Sequence, residues 1–151
     1  MILRMSLGFL QQNWEKFGKS DPLWAVLTYP DKKGGKWEID EFFKTGDKEI
    51  HQLMNEIGHH VKDHKRALDF GCGVGRLTQA LAKFFQEVTG VDIAPSMIHF
   101  ANEHNFHAKT CNFVLNETDT LERFPGNHFD FIYSNITFQH MRARYTKRYL
   151  A

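Results

Sequence analysis

Residues 67–82 read Ala67-Leu-Asp-Phe-Gly-Cys-Gly-Val-Gly-Arg-Leu-Thr-Gln-Ala-Leu-Ala82, and this stretch decides the fold. It opens as a short apolar run, the pattern of a buried parallel strand. Gly71, Gly73 and Gly75 follow at alternate positions. Leu77, Ala80, Leu81 and Phe84 then recur at helical spacing. Strand, glycine turn and helix together make a place where a ligand can lie against backbone that carries no Cβ atoms. A dinucleotide fingerprint needs glycine at the first, third and sixth positions. The sixth position counted from Gly71 is Arg76, so an extended pyrophosphate has no obvious seat and a nicotinamide-dependent enzyme is disfavoured.

Three later runs extend the pattern. Glu87-Val-Thr-Gly-Val-Asp92 reads as a second strand, Asn112-Phe-Val-Leu115 as a third and Phe129-Asp-Phe-Ile-Tyr133 as a fourth. The strands are placed at about 66–70, 87–91, 112–116 and 129–134. Ligands of open parallel sheets sit at the carboxyl ends of the strands, and Asp92 falls at such an end. A carboxylate there can accept hydrogen bonds from two adjacent ribose hydroxyls, and bonds to a charged acceptor are comparatively strong. Capping of the following helix, with Pro95 near its start, can coexist with that role.

The run Asp69-Phe-Gly-Cys-Gly-Val-Gly75 resembles the first motif of class I methyltransferases that use S-adenosylmethionine, and Asp92-Ile-Ala-Pro-Ser-Met97 resembles a stretch that follows in the same family. The resemblance covers roughly residues 47–150. It implies a Rossmann-like α/β fold, with a partial parallel sheet of spatial order 3-2-1-4 and helices on both faces. The implied cofactor is S-adenosyl-L-methionine. By the resemblance, the cofactor-binding set takes in Asp69, Gly71, Gly73 and Gly75, with Asp92 at the ribose and Ile93 against the adenosine. In the loop that starts at Asn116, the family often uses an acidic or amide side chain on the adenine amino group. Glu117 and Asp119 both qualify, and Asp119 is narrowly preferred. Ser134-Asn-Ile-Thr-Phe-Gln-His-Met141 resembles the loop and helix start of small-molecule methyltransferases. It implies Asn135 against the methionine part of the cofactor and His140 facing the acceptor as a base, since imidazoles exchange protons near neutrality. His140 reads equally well as a satisfied helix-surface histidine. Met97 reads as an ordinary core methionine, and Cys72 as a packing residue between two glycines.

The acceptor implied by the resemblance is a small molecule. Residues 134–137 read Ser-Asn-Ile-Thr, without the Asp/Asn-Pro-Pro-aromatic signature of amino-group methylation in nucleic acids. The basic tail at Arg142, Arg144, Lys147 and Arg148 has no aromatic-rich RNA motif beside it. Nucleic acid is therefore not the expected acceptor. The chain of 151 residues has 42% hydrophobic and 25% charged residues and a net charge of +1, which argues against a strongly charged partner. Its two cysteines, Cys72 and Cys111, suggest no disulfide framework. The apolar run in Met1–Leu10 is too brief for a membrane span and no small-residue cleavage signal follows it. A cytoplasmic protein is expected.

Before the glycine turn, residues 9–19 read as a short helix with Phe9, Leu10, Trp14 and Phe17, and Asp21-Pro22 as the cap and first position of the next. These aromatics either pack on the main domain or form a lid over the ligand, or do both. Residues 47–60 read as a helix with Ile50, Leu53, Met54 and Ile57 on one side. The expected division is an N-terminal helical extension or lid at 1–46 and the methyltransferase domain at 47–151. His51, His59, His60 and His64 lack the paired cysteines or acidic motif of a metal site and read as solvated. The family pattern continues past the fourth strand and its helix into a fifth strand and an antiparallel hairpin, for which residues 142–151 leave no room. The resemblance therefore implies a partial domain. A noncatalytic S-adenosylmethionine-binding or interaction module stands beside the enzyme as the alternative. The fourth strand then lies at an uncovered edge, a place for self-association.

Overall fold

The computed structural model describes residues 6–151. The first five residues of the apolar run read in Met1–Leu10 lie outside the described residues. Arg66–Phe70 (β1), Glu87–Asp92 (β2), Cys111–Leu115 (β3) and Phe131–Tyr133 (β4) form one parallel sheet in the order β3-β2-β1-β4. This is the expected spatial order. β1 lies at the centre, and Ala67, Leu68 and even Asp69 are buried there, as a strand covered on both faces requires. β4 is shorter than the expected 129–134 because Asp130 does other work. Its Oδ2 accepts the Lys65 and Arg66 amides at 3.1 and 2.8 Å, which fastens the start of β1.

Six α-helices accompany the strands among the described residues: Leu7–Ser20 (α1), Pro22–Val26 (α2), Ile39–Ile57 (α3), Arg76–Leu81 (α4), Pro95–Glu103 (α5) and Ala143–Tyr149 (α6). Ser6 caps α1 by accepting the Phe9 amide, and Asp21 caps α2 by accepting the Trp24 amide, with Pro22 in the first turn. The other oxygen of Asp21 accepts the amides of Gly34 and Gly35 and folds the loop at 31–36 back onto the cap.

α3 begins at Ile39, well before the expected start at 47. Its buried line is Phe42, Gly46, Ile50 and Met54, each four residues from the last, so the helical period runs through Gly46 unbroken. Glycine in a helix interior weakens it. Here Gly46 permits a close crossing, because a Cβ atom would stand 2.5 Å from the Arg76 carbonyl oxygen of α4. The expected division between residues 46 and 47 therefore falls inside one continuous helix.

The N-terminal helices dock on α5. Glu15 accepts the Ser96 amide at 2.8 Å through its side chain, and its carbonyl accepts the Ser96 hydroxyl at 3.3 Å. Trp14, Trp24 and Val26 pack against a buried group of Leu23, Trp37, Phe42, Val74, Ala94 and Met97. His64 lies off the helix, stacked on Phe85 and bonded through Nδ1 to the Phe84 carbonyl. Among the described residues no group of three or more His, Cys, Asp or Glu side chains is placed to hold a metal ion, and no helix is long and apolar enough to cross a membrane.

Candidate functional site

β1 and β2 run in register to Phe70 and Val91, and the chain turns away from both at one level. The amides of Gly71 and Cys72 donate to the Val91 carbonyl, each at 2.9 Å, and the Gly75 amide donates to the Cys72 carbonyl at 2.9 Å. The Gly73 amide donates to Asp92 Oδ2 at 2.9 Å. These donors hold the turn together, and beside them the turn offers a ligand bare Cα surface. Gly71 and Gly73 have φ of +78° and +53°, in the left-handed region that glycine adopts without strain. A Cβ at Gly71 would strike Thr137 at 2.2 Å, so the glycine also lets the loop after β4 close over the turn. Gly75 faces the other way. A Cβ there would meet the Phe113 ring at 2.5 Å, in the core.

Asp92 ends β2 and accepts the Ala94 amide on Oδ1 at 2.9 Å as well as the Gly73 amide on Oδ2. A carboxylate has about four acceptor positions, so each oxygen keeps capacity for a second donor. Enclosure raises its pKa, opposed by hydrogen bonds from the Ala94, Gly73 and Ile93 amides. The helix-start role and an open ligand-facing side coexist on this residue.

A cavity of about 560 Å³ opens at these strand ends. Gly71, Gly73, Asp92 and Ile93 form its floor, and Asn135, Thr137 and His140 border it from the segment after β4. Leu10, Trp14 and Phe17 of α1 and residues 24–29 close it from the N-terminal side. The helices that pack on the main domain are thus also the roof of the cavity. Trp14 meets the His140 ring edge to face with centroids 5.2 Å apart, which fixes the imidazole against the roof. Phe70 stacks between Phe138 and Tyr149 at the far side. The described lining includes no lysine, arginine or glutamate.

Three sequence candidates do not line the cavity. Asp69 is buried beneath the turn, where its Oδ2 accepts the Thr78 hydroxyl at 2.7 Å. Burial raises its pKa to about 6, against the hydrogen bond from Thr78 and the charge of Arg76. Gly75 supplies close packing between the helix start and β3. Asp119 pairs with Arg148 of α6, and the alternative, Glu117, accepts Gln11 of α1 at 2.6 Å. Both carboxylates of this loop tie it to flanking helices. The residue of the loop that does reach the cavity is Asn116, whose Nδ2 donates to the carbonyls of Thr118 and Thr120 and so shapes the loop. Cys72 is buried, and desolvation with the charges of Asp92 and Asp69 pushes its thiol well up, which leaves it inert.

Glu49 of α3 is the polar residue that sequence reasoning missed. Its Oε2 accepts Arg76 Nη2 at 2.8 Å, and its Oε1 accepts Asn135 Nδ2 at 2.6 Å and the Tyr133 hydroxyl at 3.2 Å. Arg76 also donates to Thr45 at 3.2 Å. One carboxylate thereby joins α3, the start of α4 and the end of β4. The sequence holds a hint, since a long cation following a glycine turn needs an anionic partner when buried. It does not say which acid of the preceding helix supplies that partner.

Residues 68–151 match the family described as methyltransferase domain. Phosphoethanolamine N-methyltransferase 3 of Arabidopsis thaliana is 37% identical over 86 residues, which make up 56% of this chain and 17% of that protein. The malonyl-acyl-carrier-protein O-methyltransferase of Acetivibrio thermocellus is 30% identical over 102 residues, 66% of this chain and 35% of that protein. The chain thus spans well under half the length of these curated relatives. Among solved structures, phosphoethanolamine N-methyltransferase 1 of Haemonchus contortus, in complex with phosphoethanolamine and S-adenosylhomocysteine, superposes with a TM-score of 0.69 at 16% identity, covering 97% of this chain and 29% of that one. Magnesium protoporphyrin IX methyltransferase from Synechocystis PCC 6803, with bound S-adenosylmethionine, gives 0.62 at 16% identity, covering 95% of this chain and 68% of that one. These likenesses show that the folds are shared.

Proposed function

The chain belongs to the methyltransferase domain family, as a class I, S-adenosylmethionine-dependent domain, and from that premise we propose that it transfers a methyl group to a small molecule in the cavity above β1 and β2. The observation that carries this reading is the meeting of Asp92, the glycine turn, Asn135 and His140 around one cavity at the carboxyl ends of parallel strands. The residues present fit the cofactor. Asp92 keeps acceptor capacity for a ribose diol, Gly71 and Gly73 present surface without side chains, and Ile93 supplies an apolar contact for adenine. Asp69, Gly75 and Asp119 support the site from behind in this reading, through Thr78, through Phe113 and through Arg148.

S-adenosylmethionine, when bound, supplies a methyl group on a positively charged sulfonium. The chain's own contribution is to orient the reactants and exclude water. The α1 roof with Trp14 and Phe17 covers part of the cavity. His140, held edge to face on Trp14, accepts a proton at an imidazole nitrogen when the acceptor atom carries one. A phosphorylated acceptor would find no lysine or arginine among the described lining residues. An acceptor without phosphate suits the aromatic walls better.

A cytoplasmic location goes with this reading, supported by two buried, unpaired cysteines. Self-association belongs to it too. β4 pairs only with β1 among the described strands, and Ile132 is 60% exposed beside that edge. The test is titration calorimetry with S-adenosylhomocysteine followed by radiolabelled methyl transfer to a small-molecule panel. Stoichiometric binding with turnover is expected. Binding without turnover on any acceptor would favour the noncatalytic module, and absence of binding would remove the reading altogether.

A further inference from the structure

We propose that Glu49 is a positioning residue for the amino-acid end of the cofactor, acting through the side-chain amide of Asn135. The inference rests on the reading that S-adenosylmethionine occupies the cavity. Glu49 beside the Arg76 guanidinium accepts hydrogen bonds and donates none. Its 2.6 Å contact with Asn135 therefore fixes which way that amide is turned: the NH2 group faces Glu49, and the amide oxygen is left for whatever lies on the other side. Asn135 is on the cavity wall and Glu49 is not.

The neighbours keep this orientation in place. Tyr133 donates its hydroxyl to the same carboxylate oxygen, and its pKa, raised to about 12 by burial and by the charge of Glu49, keeps it a donor at neutrality. Arg76 anchors the other oxygen at 2.8 Å. The backbone of the loop is pinned as well. Ser134 donates to the Phe70 carbonyl at 2.9 Å, and the single hydroxyl hydrogen of Thr137 is shared between the Phe70 and Asn135 carbonyls, each 3.2 Å from its oxygen. Ile136 adopts a φ of +59°, a conformation that a β-branched residue holds only when its surroundings impose it. With its carbonyl engaged by Thr137 and its NH2 by Glu49, Asn135 offers the cavity an acceptor. That selects a ligand donor, and the α-ammonium of the cofactor's methionine portion is one.

The experiment compares two ligands that share adenosine and sulfur. S-adenosylhomocysteine carries the α-ammonium, and 5′-methylthioadenosine lacks the amino-acid portion. Their affinities are measured by calorimetry for the wild type, Glu49→Gln, Asn135→Ala and the double variant, with thermal melting to monitor folding. Glu49→Gln should weaken S-adenosylhomocysteine on the order of tenfold, the effect of one mis-set hydrogen bond to a charged group. It should leave methylthioadenosine within about twofold, and in the Asn135→Ala background it should cost nothing further, because the two residues act as one unit. Equal weakening of both ligands would reduce Glu49 to a general structural role and overturn the inference. So would unchanged S-adenosylhomocysteine affinity, or an undiminished Glu49→Gln effect without Asn135. If Glu49→Gln does not fold, Asn135→Ser makes the same comparison with the Glu49–Arg76 pair intact, and equal effects on the two ligands overturn the inference there too. Wild-type protein that binds neither ligand would sink the cofactor reading first, and this inference with it.

Discussion

At Asp92 the needs of the fold and of a ligand meet on one carboxylate. It fastens the glycine turn through Gly73 and the start of α5 through Ala94, and it faces the cavity. Asp92→Ala should weaken S-adenosylhomocysteine by about 1–3 kcal/mol, the cost of losing a buried acceptor. Calorimetry on protein with a native circular dichroism spectrum checks this, and an unaltered affinity would dismiss the ribose assignment. Asp69 behaves differently because it is sealed from the ligand. Burial lifts its pKa from the ordinary 3.8 to about 6, so between those values the folded chain holds a proton that the unfolded chain has lost. Its contribution to stability is therefore full below about pH 4 and falls as pH rises towards 6. Asp69→Asn should flatten that decline in melting temperature between pH 4 and 6, leaving the part of the same sign that comes from Asp92. An identical decline in both proteins would show that Asp69 is not its source. Asp92 was legible in the sequence because strand period and strand end fix its place. Glu117 and Asp119 were not, since their directions are set by Gln11 and Arg148, over a hundred residues away in one case and 29 in the other. Glu49 was hidden for the same reason: its partners are Arg76, 27 residues on, and Tyr133 and Asn135, 84 and 86 residues on.

The docking of α1 on α5 depends on the absence of a side chain. Gly18 lies so close to Ser96 that a Cβ would stand 2.2 Å from its hydroxyl oxygen. Gly18→Ala should lift α1 and open the roof while leaving the sheet intact. Hydrogen exchange should then accelerate over residues 7–20 and stay slow over β1 and β2; acceleration in both, or in neither, would refute this picture of the roof. Acidification offers a second route. Burial tends to raise the pKa of Glu15, but its hydrogen bonds from Ser96 and the nearby Lys19 outweigh that and lower it below the ordinary 4.5. The contact is then complete above about pH 4.5 and weakens as pH falls through the lowered value. A Trp14 emission maximum that shifts red in acid is expected from exposure of the roof, and Glu15→Gln should abolish the shift. A shift of equal size in that variant would place its origin elsewhere. The aromatic spacing announced a helix here, with its cap and proline. What it could not announce is that Gly18 and Gly46 mark helix crossings, because the neighbour that approaches each glycine comes from a distant part of the chain.

At the scale of the whole molecule the sheet is asymmetric. β1 and β2 are interior and β3 and β4 are the edges, but β4 has the shorter ladder, three pairs against five, and it and the loop after it leave Ile132 and Ile136 exposed, at 60% and 61%. If copies associate through that edge, sedimentation should show mass rising with concentration, and Ile132→Lys should shift the protein towards monomer. Wild-type protein that sediments as a monomer at every concentration would dispose of the edge as a contact between copies. The parallel run of the strands followed from the succession of strand and helix patterns, and their spatial order from the family resemblance. The unity of the N-terminal segment with the sheet did not, because it rests on α3, whose Phe42 lies in the cluster beneath the roof and whose Ile50 and Met54 lie in the cluster beside β1. That continuity has a bearing on recombination. A chimera that exchanges this roof for a relative's cannot be spliced at 46 without cutting a single rod that serves two cores. The natural seam is the irregular segment after it, at 61–63, where the chain has left the helix and has not yet entered β1.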